Sequence, residues 1–287
     1  MAPLTMKKIA IVGLALICTL ALAQGQNLSP EELNRRMIER RAIEAVIWAM
    51  PAVNYDLMLQ EMLRLGGKPN EIVYWSRLPD WKNQTLTPNP DAIYLMPFIN
   101  TKDVGPVVIE IPPADEGSIT GTIMDAWQMP LADVGPAGTD AGKGGKYVVL
   151  PPNFTGKTPD GYIALPSLTY QGYALLRSIL KSGSDSDIIG AVDYGKRIKV
   201  YPLSAATNPA ATTFVDAIDT VYDATIPYDI RFFQSLDRFV QGERWITRDK
   251  VMIDQLARLA LRRASRSLPI QKPRDFSMPA CVKPTRS

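Results

Sequence analysis

Between Ile72 and Leu176 the chain breaks into seven short runs: Ile72–Trp75, Ala92–Phe98, Val107–Ile111, Ser118–Gln128, Lys146–Leu150, Gly161–Leu165 and Thr169–Leu176. Each is rich in β-branched or aromatic residues and bounded by Gly, Pro, Asn or Asp, which is the composition of strands between turns. Seven such runs at this spacing predict an antiparallel β-sandwich. Within Ser118–Gln128, a period of two puts Ile119, Gly121, Ile123, Asp125 and Trp127 on one face.

The flanks are helical. Ser29 is placed to cap a helix, with Pro30 in its first turn and Glu32 three residues after the cap. Leu33, Met37, Ile38, Ile43, Val46, Ile47 and Met50 form its apolar stripe. Pro51 is expected to bend or end it, and a second helix to cover Tyr55 to Leu65 before Gly66-Gly67. After the strand region come a short helix over Ser184–Lys196, a strand over Ile198–Tyr201, and helical patterns over Phe214–Tyr222, Tyr228–Val240 and Thr247–Leu259. Helices, then a sheet, then helices make an α+β fold. The chain has no internal repeat.

The two ends differ from the body. Lys7 and Lys8 precede an apolar run from Ile9 to Ala23 that ends in Ala21-Leu22-Ala23. A charged start, an apolar run of about 15 residues and small residues at the boundary describe a signal peptide cleaved after Ala23. The run is shorter than the ~20 residues of a membrane span. The expected location is therefore periplasmic or secreted, with no stable membrane span after cleavage. Residues 260–287 lack apolar periodicity and read as a disordered basic tail.

Composition removes several chemistries. There are no histidines, so no Ser-His or Cys-His catalytic arrangement and no His-ligated metal site is encoded. Of the two cysteines, Cys18 lies in the signal segment, so Cys281 has no internal disulfide partner and core packing must supply stability. The formal charge of +3 hides an asymmetry. The signal segment carries +2 and residues 260–287 carry +6, so residues 24–259 carry −5. An acidic body gives no support to nucleic-acid binding.

Three stretches could carry chemistry. In Thr87-Pro88-Asn89-Pro90-Asp91-Ala92-Ile93-Tyr94, two prolines stiffen a turn that delivers Asp91 and Tyr94 to a strand. Asn89 and Asp91 either cap this turn or face a cleft. In the second, Trp48, Asn54, Tyr55 and Asp56 surround Pro51, where Asn54 or Asp56 would cap the second helix and Trp48, if it faces the sheet, would bring this corner toward the turn. The third holds Asp125, Trp127 and Gln128. Asp125 is unusual within an apolar strand face, so it is either buried with a partner or lines a cavity. Asp91 and Asp125 together could form an acid/base carboxylate pair or hold a hard cation. Gly135–Lys146 fails the phosphate-loop spacing and reads as a flexible hairpin loop.

These motifs, in this order, resemble exported bacterial proteins with paired domains of unknown function 1254 and 1214. The matching residues are Trp48–Asp56, Thr87–Tyr94, Val107–Ile111, Asp125–Gln128, Gly142–Pro151 and Lys199–Ser204. The resemblance implies an immunoglobulin-like sandwich in the first domain, a small helical segment after it and a jelly-roll second domain. It brings no established catalytic residues. The organisation expected is a signal peptide over 1–23, helices plus sandwich over 24–206, a helical segment over 207–259 and the tail over 260–287.

The expected function is binding of a small molecule or envelope component through Trp48, Asn54, Tyr55, Asp56, Asn89, Trp127 and Gln128. The alternatives are a cofactor-independent hydrolase or lyase using Asp91, Asp125 and Tyr94, and a structural envelope partner. The cofactor is unknown, and self-association is open.

In the resembling family the last helix leads into Gly-Ile-Glu-Lys-Gly-Lys-x-Phe, whereas this chain reads Ala260-Leu261-Arg262-Arg263-Ala264-Ser265-Arg266-Ser267. The bases GGCATTGAGAAGGGCAAGTCGTTC encode Gly-Ile-Glu-Lys-Gly-Lys-Ser-Phe, and the adjacent frame, closed by one more C, encodes the observed octet. A frameshift near Leu259 is therefore expected, with residues 260–287 out of frame and the second domain lost. Resequencing the gene should return codons compatible with both frames; incompatible codons would exclude the frameshift.

Overall fold

The computed structural model describes residues 28–85, 89–259 and 261. The signal segment and, Leu261 apart, the basic tail lie outside the described residues, as do Thr87 and Pro88.

The chain begins with one long helix, α1 (Pro30–Arg64). Ser29 Oγ accepts from the Glu32 amide at 3.2 Å, as the capping pattern predicts. The expected break at Pro51 does not occur. Proline removes one helical hydrogen bond, but burial of Ala49, Ala52 and Val53 around it holds the helix continuous. Asn54 and Asp56 are therefore helix-interior residues and cap nothing.

The buried face of α1 also differs from the expected stripe. Ala42, Ala45, Ala49 and Ala52 are buried, whereas Leu33, Ile43 and Ile47 are exposed, Ile47 at 71%. Alanine lets neighbouring elements approach closely, so the packed face follows small side chains rather than large ones.

Ten strands follow, β1 (Ile72–Tyr74), β2 (Ala92–Asn100), β3 (Val107–Ile111), β4 (Ile119–Asp125), β5 (Pro130–Val134), β6 (Gly145–Leu150), β7 (Tyr162–Pro166), β8 (Gln171–Ile179), β9 (Lys199–Pro202) and β10 (Phe214–Asp216). Three further helices are α2 (Asp185–Gly195), α3 (Ile230–Gly242) and α4 (Lys250–Arg258). The fold is α+β, but the sheets are mixed. A six-stranded sheet has the order β10-β1-β2-β8-β4-β5 and a four-stranded sheet the order β7-β6-β3-β9. β1 runs parallel to β10, and β6 parallel to β7, unlike the antiparallel sheets of an immunoglobulin sandwich.

Two strands escape the sequence pattern. β5 is a short edge strand that opens with Pro130, a position where the missing N–H is tolerated. β10 lies in a stretch with helical periodicity, yet it pairs along β1 and sets Phe214 edge-on to Tyr74 at 5.9 Å. The Gly135–Lys146 loop joins two different sheets, so it is not a hairpin. The buried Asp140 carboxylate pins it, accepting from the Gly135 and Gly144 amides and from the Tyr147 hydroxyl.

The molecule is layered. Ile93, Leu95, Ile123 and Leu176 of the large sheet meet Val107, Ile109, Tyr147 and Val200 of the small one in the sandwich core. The other face of the large sheet carries Tyr94, Met96, Phe98 and Tyr173, which pack against Tyr55, Met58 and Met62 of α1. Farther toward its N-terminus, α1 packs Ala42, Ala45, Ala49 and Val53 against Phe232, Phe233 and Leu236 of α3. By length and composition α1 could cross a membrane. Here it is the core helix between the sheet and the later helices.

An ion pair joins α1 to α3. Asp56, 5% exposed, accepts from Arg238 Nη2 at 2.6 Å and from Ser235 Oγ at 2.5 Å. Removing one member of a buried pair strands the other and costs about 3–5 kcal/mol. Because Arg238 is half exposed, solvent screens part of that loss. Asp56→Ala is expected to lower stability by about 2 kcal/mol in urea unfolding; a loss below about 0.5 kcal/mol would show that the pair does not anchor the helix.

Candidate functional site

The turn between β4 and β5 organises the site. Asp125 ends β4, and its Oδ1 accepts from the Trp127 amide at 2.8 Å and the Met129 amide at 3.0 Å. Its own amide donates to the Met129 carbonyl, and its carbonyl accepts from the Gln128 amide. At 2% exposure Asp125 is the capping residue of this turn. Burial raises its pKa, while the Met129 and Trp127 amides and the charge of Arg248 pull it back.

The turn places Gln128 at φ 60°, a left-handed conformation uncommon for a residue with a Cβ. Its side-chain amide holds it there. Nε2 donates to the Pro51 carbonyl at 2.8 Å and to Asn54 Oδ1 at 2.9 Å, and Oε1 accepts from the Tyr173 hydroxyl at 3.1 Å. Burial raises the Tyr173 pKa to about 12, so the phenol stays protonated and donates. Beside it Trp127 meets the Trp48 ring at 4.7 Å and the Phe239 ring at 5.1 Å. Trp48 thus brings the Pro51 corner onto the Asp125 turn, a partner that the sequence alone does not name.

A groove of about 370 Å³ opens beside this clamp, between α1 and the outer face of the large sheet. Alternation along the strands builds its floor from Met96 of β2, Thr122 and Met124 of β4, and Tyr173, Leu175 and Arg177 of β8. Asn54 and Met58 of α1 form one wall, and Gln128 and Thr85 complete the lining. Tyr94 lies next to the groove, its ring 5.3 Å from the Arg177 guanidinium.

The expected partnership of Asp91 and Asp125 is not met. The Asp91 carbonyl accepts from the Leu180 amide, whereas Asp125 is paired with Gly172. Those partners are eight positions apart along the β8 segment, which at about 3.3 Å per residue separates the two acids by roughly 26 Å. Acid/base pairing and a shared cation are both excluded by that distance. Asp91 is exposed, and its amide donates to Asn89 Oδ1 at 2.8 Å, so Asn89 serves its own turn. Among the described residues no group of three or more Cys, Asp or Glu is placed to hold a metal ion.

Of the residues singled out by sequence, Asn54 and Gln128 line the groove, and Trp48 and Trp127 buttress its end. Tyr55 is buried behind it against Phe98 and Tyr173, and Asp56 turns to α3. Met58, Thr85, Met96, Thr122, Met124, Tyr173, Leu175 and Arg177 were not singled out. One signal was available: Tyr173, Leu175 and Arg177 alternate along one strand, so a cation follows two large apolar residues on the same face.

The Asp125 turn yields a pH test. A carboxyl whose folded pKa is raised costs stability above that pKa, and the cost disappears as pH falls toward its unfolded value. Asp125→Asn keeps an oxygen for the two amides and removes the buried charge. The variant should equal or exceed the parent in stability at pH 7, and the difference should shrink as pH approaches about 4. Denaturant midpoints between pH 4 and 8 read this directly; a variant markedly less stable at pH 7 would show that the charge itself is needed.

Comparison with curated proteins finds no match. Among solved structures, the VPA0106 protein from Vibrio parahaemolyticus superposes with a TM-score of 0.57 at 15% identity, over 82% of this chain and 54% of that one. At that identity the likeness shows the fold alone, and this chain spans about half the length of that protein. Residues 69–202, which contain β1 to β9 and so the sheet side of the groove, match the family model described as Protein of unknown function (DUF1254). Over that segment the chain is similar to the family.

Proposed function

We propose that the protein is an exported binding module for a small molecule, which it seats in the groove between α1 and the large sheet. One observation carries this reading. A recess of about 370 Å³ with an apolar floor is met at one end by a fixed cluster of polar groups, Asn54, Gln128 and Tyr173. Ligand sites characteristically combine such an apolar lining with a few oriented polar groups. Export rests on Lys7, Lys8 and the apolar run that follows them. A purely structural envelope role would need a flat apolar face and no recess. The paired-acid mechanism has no support from the positions of Asp91 and Asp125.

Native mass spectrometry of the full chain, purified without denaturation, tests the reading. The parent protein is expected to carry a non-covalent small-molecule adduct, and Met124→Trp, which fills the groove from its partly exposed floor, is expected to lose it. Circular dichroism should show the variant folded. An adduct retained in the folded Met124→Trp variant would place binding elsewhere, and a parent without any adduct would count against the module.

A further inference from the structure

We infer that the groove selects an aliphatic carboxylic acid, with its carboxylate against Arg177 and its chain along the methionine-lined floor. This rests on the binding reading above and specifies its ligand.

Arg177 sits on β8, in the middle of the large sheet, with Tyr94 of β2 and Thr120 of β4 as its cross-strand partners. It is partly buried, and its guanidinium lies over the Tyr94 ring. Ring contact steadies a cation but leaves its N–H donors free to bond elsewhere. Among the described residues no Asp or Glu forms an ion pair with Arg177, and it is the one charged side chain in the groove lining. Asp133 of β5, two strands away, lies outside the lining and accepts from Thr122 Oγ1 at 2.6 Å. A partly desolvated cation without a counter-charge is complementary to an anionic ligand.

The rest of the groove narrows the class. One guanidinium matches one carboxylate through two parallel hydrogen bonds. A phosphate dianion would need a second cation, and the lining supplies none. The hydroxyl of Thr85 is buried and has no hydrogen-bond partner among the described residues, so a further polar contact is available. Met124, partly exposed on the floor, and the buried Met58 and Met96 behind it adapt to a flexible chain where branched side chains would impose one shape.

Isothermal titration calorimetry of the full chain with octanoate and with octanamide decides the matter. The two probes share a chain and differ in charge. The parent is expected to bind octanoate about tenfold or more tightly than octanamide. Arg177→Gln should abolish that preference, and Arg177→Lys should keep part of it. Equal binding of both probes by the parent, or a preference that survives in folded Arg177→Gln, would overturn the anion inference and leave the groove reading intact. Failure of the parent to bind either probe would count against both. The parent comparison needs no variant, so it stands even if Arg177→Gln does not fold.

Discussion

The side-chain amide of Gln128 joins three elements that sequence separates. It ties the β4–β5 turn to the Pro51 carbonyl and Asn54 on α1, and it receives the Tyr173 hydroxyl from β8. Each bond alone adds about 1 kcal/mol at most to stability. Their joint effect is geometric, because one amide can satisfy all three partners only when helix, turn and sheet stand at one separation. A left-handed non-glycine residue persists where its surroundings over-determine it, and Gln128 meets that condition. Asp125 supports it from below by closing the turn. The groove begins where this clamp ends.

A second anchor acts along the same helix. The Asp56 contacts with Arg238 and Ser235 hold α1 to α3, while the buried alanines allow close approach. α1 is thus fixed on two sides, to the sheet through Gln128 and to the later helices through Asp56. Between these fixed points Met58 and Met96 are buried in the layer between helix and sheet, and the partly exposed Met124 and Leu175 face the recess beside them. A rigid frame around adaptable methionines suits a ligand of fixed head and variable chain.

Several parts of this arrangement were legible in the chain. Ser29 caps α1 as its pattern predicts, and Ser184 caps α2. Val107–Ile111 forms a strand with the expected limits, because β-branched residues between prolines express their preference locally. Trp48, read as carrying its corner toward the Thr87–Tyr94 stretch, instead meets Trp127. The sites were less legible. An acid inside a strand pattern points to either burial with a partner or a cavity, and Asp125 is the former, its oxygen spent on two amides of its own turn. Asp91 and Asp125 looked like partners because both stand near family-matching motifs, yet the register of β8 places them at opposite ends of the sheet.

What the sequence determined by itself is what acts over a few residues: the strand runs, the capped helix starts and the absence of histidine chemistry. The tertiary structure decided whatever depends on partners far along the chain. It carried α1 through Pro51, because packing on both sides offset one lost hydrogen bond. It made β10 a strand by pairing it with β1, against its helical periodicity. It also brought Arg177 and the methionines of three different elements around one recess. Local propensity is set by side chains adjacent in sequence, whereas a recess is the space left between elements, and no short stretch encodes that distance.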